Sequence, residues 1–508
     1  MKKIFVLFVI LSVCGLFTAL AQQPKKVTEK FFPEPDVEMD IPVFKKKSGY
    51  TTYKEMYEFL EARIAEHPEL IRMETVGKSQ RGRDIPLVTV SRKSDGADKL
   101  RIFYYARVHG DEPAGTEGVL YMIRQLAEAP EVNALLDKAD FYIMPMVNPD
   151  GAESSRRVTA NGIDLNRDQS KLDTPEAVVL NNVVGRIHPH IALDFHEYHS
   201  IRSDFSQITS DIISTPWDVM FLYSSNPNVP EVLRDLVNDL FLTEAKAELD
   251  KNGLTHHTYY TSRKDFGEVY FNVGGASPRS TSSAMALKNT VSVLFEIRGL
   301  KLDRVSMKRR TYTAYLLALS FAETALKNEE RLRNVLAESQ AKRDDIAVSF
   351  TSGRKEMSFT FIDIIRNKLV TFDVPARVAE DFTVTMTRPL PPAYYLLPSE
   401  TNAVEKLKQM GIEVAVLENE TTVAVEAYTV TSLKEDGEQV GGVYPVTVKT
   451  TLSEREVRLP AGTWRVDTTQ PFVRAATVLL EPESANGFVN YRVVKAVLNE
   501  EIPIYRAK

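Results

Sequence analysis

Between residues 84 and 300 the apolar positions of the chain fall into two alternating rhythms. Short dense runs, PLVTVS, RIFYYARV, DFYIMPMVN, HIALDFH and VSVLFEIRG, are rich in β-branched and aromatic residues and read as buried strands. Stretches with apolar residues three and four apart accompany them: the run YKEMYEFLEARIAEHP from Tyr53, then 113–128, 175–187, 230–251 and 309–335. These predict amphipathic helices. Strands alternating with helices predict an α/β fold with a central mixed, mainly parallel sheet flanked by helices. Ligands in such sheets gather at the carboxyl ends of strands. His109, Asn148 and His196 all stand at those ends.

After about residue 340 the rhythm changes. EMSFTFIDII, TVTMTRPL, TTVAVEAYTV and YPVTVKTT alternate apolar and polar residues, and AVEKLKQM is the one clear helical pattern among them. The chain therefore divides into a leader at 1–21, a polar lead-in at 22–50, an α/β domain at 51–337 and a β-rich C-terminal domain at 338–508. Its 508 residues exceed what one ordinary core organises, which fits two domains.

Composition narrows the function classes. Hydrophobic content of 43% and charged content of 26% are those of a globular protein. A net charge of -6 supplies no basic field, which argues against a nucleic-acid partner. MKKIFVLFVILSVCGLFTALAQ has two lysines, an apolar run and the small-residue pattern Ala19-Leu20-Ala21, and reads as a secretory signal cut after Ala21. LSVC around Cys14 resembles a lipoprotein cleavage box, but Val13 is large for that place, so lipidation is the lesser alternative. The expected location is secreted or periplasmic in a bacterium, with no membrane span after cleavage. Cys14 is the chain's one cysteine, so the mature protein has no disulfide, no thiol nucleophile and no thiolate metal ligand.

Four stretches carry candidate chemistry: HGDE at 109–112, VNPDGAESSRRVTANGIDLNRD at 147–168, DFHEYH at 194–199 and LFEIRG at 294–299. A histidine and a carboxylate three residues apart can wrap one metal ion, and a second histidine at a strand end can complete the set. HEYH does not fit the H-E-x-x-H metalloprotease helix, because its spacing is short by one and IALDF before it reads as a strand. With all four stretches in this order, residues 50–330 resemble the zinc metallocarboxypeptidases of the carboxypeptidase A type.

The resemblance implies one zinc ion per chain, held by His109, Glu112 and His196. Two imidazoles and one carboxylate leave a fourth position open, as catalytic zinc sites do. It also implies that Asp164 holds the other ring nitrogen of His109. Asn166 and Arg167 would grip the free C-terminal carboxylate of a peptide, a contact suited to the two parallel donors of a guanidinium. Arg157, nine residues before Asn166, would polarise the scissile carbonyl, with adjacent Arg156 as its rival. Glu296 would be the general base and acid. Arg298 would pack beside it.

Two positions depart from the family pattern. The mobile tyrosine expected 22 residues before Glu296 is Gly274 here, which leaves Tyr270, then Tyr259 or Tyr260, for the role. Thr281 stands at the usual specificity position, and Arg279 just before it can pair with an acidic group such as cell-wall peptides carry. His256 and His257 read as solvated loop residues, and His199 as a residue of the pocket rim. The expected partner is a peptide with a free C-terminal carboxylate. An amidohydrolase of N-acyl amino acids shares the ligand pattern and remains the rival reading, ahead of an inactive binding protein on the same fold.

Overall fold

A computed structural model of the chain describes residues 23–93, 98–265, 268–440 and 442–508. The leader, with Cys14 and the cut after Ala21, lies outside the described residues. Eight strands form the central sheet: β1 (Ile71–Lys78), β2 (Asp84–Val90), β3 (Leu100–Ala106), β4 (Ala139–Met144), β5 (Ile191–Tyr198), β6 (Val219–Tyr223), β7 (His256–Thr258) and β8 (Val291–Arg298). Their order is β1-β2-β4-β3-β5-β8-β6-β7. The middle strands β4, β3, β5 and β8 run parallel, while β1 and β2 at one side and the β8–β6 pair at the other are antiparallel. The sheet is mixed, as the alternation of strands and helices predicts. β5 is buried along its whole length, the ionisable Asp194, His196 and Glu197 included.

Helices α1 (Tyr53–Glu66), α2 (Ala114–Glu128), α3 (Pro175–Ile187) and α4 (Met307–Lys327) flank this sheet. The expected 230–251 helix has a π-helical segment at Val237–Leu242, and the 309–335 pattern breaks at Asn328 into two helices. His256 and His257 lie on the short strand β7 rather than in a loop, and His257 stacks on Trp217. The lead-in packs onto the α/β unit: Phe32 lies 3.9 Å under the Arg298 guanidinium, which also bonds Gln23. Arg298, two residues after Glu296 on β8, is thereby held by the lead-in.

The chain after 338 contributes to two sheets. The long strands Ile346–Asp363 and Lys368–Arg388 pair with each other and join Glu268–Val273 and Tyr260–Asp265 in a five-stranded sheet. The remainder builds a six-stranded antiparallel sheet with helices Thr401–Gln409 and Val473–Leu480. Its apolar side chains, Tyr394, Leu407, Val466 and Leu479 among them, share one buried cluster with Phe103, Leu180 and Ala192. Among the described residues no helix is long and apolar enough to cross a membrane.

Three glycines set how closely the loop after β3 meets its surroundings. A Cβ at Gly115 would lie 2.5 Å from the Cβ of Phe195, and one at Gly118 would lie 2.3 Å from that of Ala314. These small residues let α2 begin directly against β5 and α4. A Cβ at Gly110 would lie 1.9 Å from the carbonyl carbon of Gly151, on the one-turn helix Pro149–Glu153. Backbone blocks backbone there, so no rotamer change relieves it. Gly110→Ala should therefore cost about 1–3 kcal/mol or more, read as a lower midpoint in urea unfolding; an unchanged midpoint would mean that the two loops can part without loss.

Candidate metal centre and substrate cavity

Arg107 ends β3 in the left-handed region at φ 59, a costly conformation for a residue with a side chain. Its guanidinium holds the bend by donating to the carbonyls of Gly110, at 3.0 Å, and Thr51, at 3.1 Å. The loop that follows turns His109 and Glu112 back toward the end of β5. His196 comes from β5 itself, and Glu296 on β8 is its register partner across the parallel pair. Paired residues present their side chains on the same face.

Three ligand atoms converge. Glu112 lies 2.8 Å from His109 Nδ1 through Oε1 and 2.8 Å from His196 Nδ1 through Oε2, and the two Nδ1 atoms are 2.9 Å apart. All three residues are buried. Each imidazole also presents Nε2 to a carboxylate: His109 to Asp164 at 3.1 Å, and His196 to Asp194 at 2.9 Å. A carboxylate partner fixes the proton on Nε2, which leaves both Nδ1 lone pairs and a carboxylate facing one another. Three acceptors so close call for positive charge; Arg157 Nη1 reaches His109 Nδ1 from one side at 3.1 Å, and a divalent cation bound by two nitrogens and one carboxylate fits the donor set. The carboxylates around the cluster favour positive charge at its centre, whether a proton or a metal ion carries it. Burial works against ionised His196, yet Asp194 and Glu112 hold it well above the usual imidazole value. Burial likewise opposes ionised Glu112, but the two histidines keep it well below the usual carboxylate range.

Asp164 binds more than one partner. It accepts from Arg157 Nε and Nη2, at 3.1 and 2.9 Å, and from the backbone N–H of Asn166 at 2.9 Å. It therefore locks His109, Arg157 and the Leu165–Arg167 turn together. Arg157 Nη1 also stands 3.4 Å from Glu112, whereas Arg156 is exposed. Asn166 Oδ1 accepts from the Thr281 backbone N–H at 2.9 Å, which leaves its amide NH2 group available. The Thr281 hydroxyl lies against both Asn166 and Asp194. Thr281 is wholly buried and ties the two halves of the site together, instead of lining the cavity as its spacing predicts.

A cavity of about 400 Å³ opens beside the cluster, and Arg157, Asn166, Arg167, Arg279, His199 and Glu296 all line it. Burial first, and then the charge of Glu112, push Glu296 up to about 7. Tyr270 is not in this cavity. It stacks under the Arg377 guanidinium at 4.2 Å and faces a separate groove. Tyr259 is in it, and burial together with the charge of Glu296 pushes its hydroxyl up to about 12. Gly274, where the family spacing places a tyrosine, donates its N–H to the Tyr259 carbonyl at 2.8 Å.

Two groups escape a reading of the sequence. Asp194 lies inside an apolar run, and its one signal is that residues two apart on a strand share a face, which puts it beside His196. The left-handed Arg107 has no signal in residue type. Glu197, next to His196, is buried against Arg310, whose Nε donates to it at 2.8 Å.

Known proteins resemble this chain over much of its length. The family profile described as Zinc carboxypeptidase matches residues 56–185. Carboxypeptidase 2 of Trichophyton equinum is 30% identical over 442 residues, spanning 85% of this chain and 82% of its own. Carboxypeptidase 2 of Trichophyton rubrum is 29% identical over 472 residues, spanning 91% and 87%. A solved metallo-carboxypeptidase from Burkholderia cenocepacia covers 55% of this chain and 70% of its own, at 18% identity and a TM-score of 0.43. The long matches are fungal and give no support to a bacterial setting.

The role of Asp194 is open to a direct check. Asp194→Asn keeps the shape but removes the charge that orients His196, and partners of this kind are worth about 10–100-fold in metal affinity. Zinc titration against a competing chelator should show a loss of that size. Unchanged affinity would assign Asp194 to packing alone.

Proposed function

Because the chain belongs to the zinc carboxypeptidases, we propose that it binds one zinc ion through His109, Glu112 and His196 and hydrolyses the C-terminal amide bond of peptides. The observation that carries this reading is one cavity lined by Glu296, Asn166, Arg167 and Arg157, the last of which also reaches the ligand cluster, 3.1 Å from His109 Nδ1. Zinc in that cluster would lower the pKa of a water molecule to about 7 and polarise the scissile carbonyl.

The chain's own groups supply the rest. Asn166 donates its amide N–H, and Arg167 its guanidinium, to the terminal carboxylate of the peptide; this favours chain ends over interior bonds. Arg157, steadied by Asp164, donates to the scissile carbonyl oxygen as negative charge builds there. Glu296 accepts a proton from the attacking water on its carboxylate and passes it to the leaving amine nitrogen. Tyr259, rather than Tyr270, takes the part of the tyrosine that closes over bound substrate. The relatives named as carboxypeptidases favour peptides over N-acyl amino acids. The 1–21 leader supports export with cleavage after Ala21, and cell-wall peptides are among the substrates that an exported enzyme meets.

Glu296→Gln separates chemistry from binding. It should keep zinc and leave KM nearly unchanged, while kcat falls by about 10²–10⁴-fold. His196→Ala should instead lose zinc, since one of three protein ligands is gone. Release of zinc by Glu296→Gln, or near-normal turnover in that variant, would contradict the assignment.

A further inference from the structure

Five arginines line the substrate cavity: Arg157, Arg167, Arg202, Arg263 and Arg279. Two carboxylates line it, Glu197 and Glu296, and Glu197 is already neutralised by Arg310. Arg157 is paired with Asp164 and Arg202 with Asp204, while Arg263 stands on the exposed rim. That leaves Arg167 and Arg279. Neither meets a carboxylate among the described residues, and Arg167 spends one N–H on the Asn166 carbonyl at 2.7 Å. Burial lowers Arg167 below the usual guanidinium value; the charge of Asp164 opposes this and that of Arg279 adds to it. Two guanidinium groups without a carboxylate in direct contact, sharing one cavity, call for anionic charge, and one terminal carboxylate answers only one of them.

The backbone that carries Arg279 is held from three directions. The Arg279 carbonyl accepts from the Gln169 N–H at 3.3 Å, and Thr281 is fixed to Asn166. Ser277 donates to Asn486 at 2.6 Å, so the C-terminal region also steadies this loop. The guanidinium is thus presented from a fixed base at one side of the carboxylate-binding pair.

We propose that the cavity selects peptides ending in an acidic residue, with Arg279 pairing the side-chain carboxylate while Asn166 and Arg167 hold the terminal one. The inference rests on the carboxypeptidase reading of the same cavity. It assigns Arg279 to a second carboxylate, not to a share of the first.

The test compares N-blocked dipeptides that differ in the last residue alone, Glu, Gln or Leu, using the full-length zinc-loaded enzyme. Release of Glu should exceed that of isosteric Gln by about 30-fold or more in kcat/KM, the worth of a desolvated charge pair. Arg279→Gln should collapse that preference toward unity with zinc content retained, and Arg279→Lys should keep part of it, because a point charge remains without the forked donors. Equal rates for Glu and Gln in the parent, or equal losses for both in Arg279→Gln, would overturn the inference while leaving the carboxypeptidase reading in place. No release from any of the three peptides would overturn both.

Discussion

Two imidazole nitrogens and a carboxylate meet within 3 Å of one another in the interior of this protein, and much of the surrounding structure holds them there. Acceptors repel, so such a meeting persists only where neighbouring groups fix the protons elsewhere and a positive charge fills the gap. Asp164 and Asp194 do the first by holding each imidazole through Nε2. A divalent cation bound between them would do the second, and two nitrogens with one carboxylate are a donor set that fits one.

The same groups reach outward into substrate binding. Asp164 joins His109 to Arg157 and to the turn bearing Asn166 and Arg167. Thr281 joins Asn166 to Asp194 and so connects the substrate side to the second histidine. These contacts join the two halves of the site in one hydrogen-bond network. The C-terminal region takes part as well. Its long hairpin strand Lys368–Arg388 pairs with Glu268–Val273, which carries the chain back toward Tyr259, and Asn486 steadies the Arg279 loop.

Much of this was legible in residue order. Strands buried on both faces leave continuous apolar runs, so β3, β4, β5 and β8 stand out, and the carboxyl ends of β3, β5 and β8 carry the ligands and Glu296. β1 gave no such signal, because it is an edge strand with mixed burial and an irregularity at Gly77. The tyrosine was misplaced for a related reason. Counting back from Glu296 assumes a constant loop length, and here the count ends on Gly274, whose backbone touches Tyr259, one of three tyrosines, with Tyr198 and Tyr260, that line the cavity. Asp194 was hidden by its setting, since a carboxylate in an apolar strand reveals its partner only when the same-face neighbour is a known ligand. Cooperation between the β-rich region and the cavity depends on contacts far apart in sequence, which local patterns do not encode.

The central claim is that His109, Glu112 and His196 together hold a zinc ion. X-ray absorption at the zinc edge of the full-length protein, loaded with one equivalent of zinc, addresses it directly. The account predicts two imidazole nitrogens at about 2.0–2.1 Å, carboxylate and solvent oxygen at about 2.0–2.2 Å, and no sulfur. A shell of oxygens with one imidazole or none would contradict it.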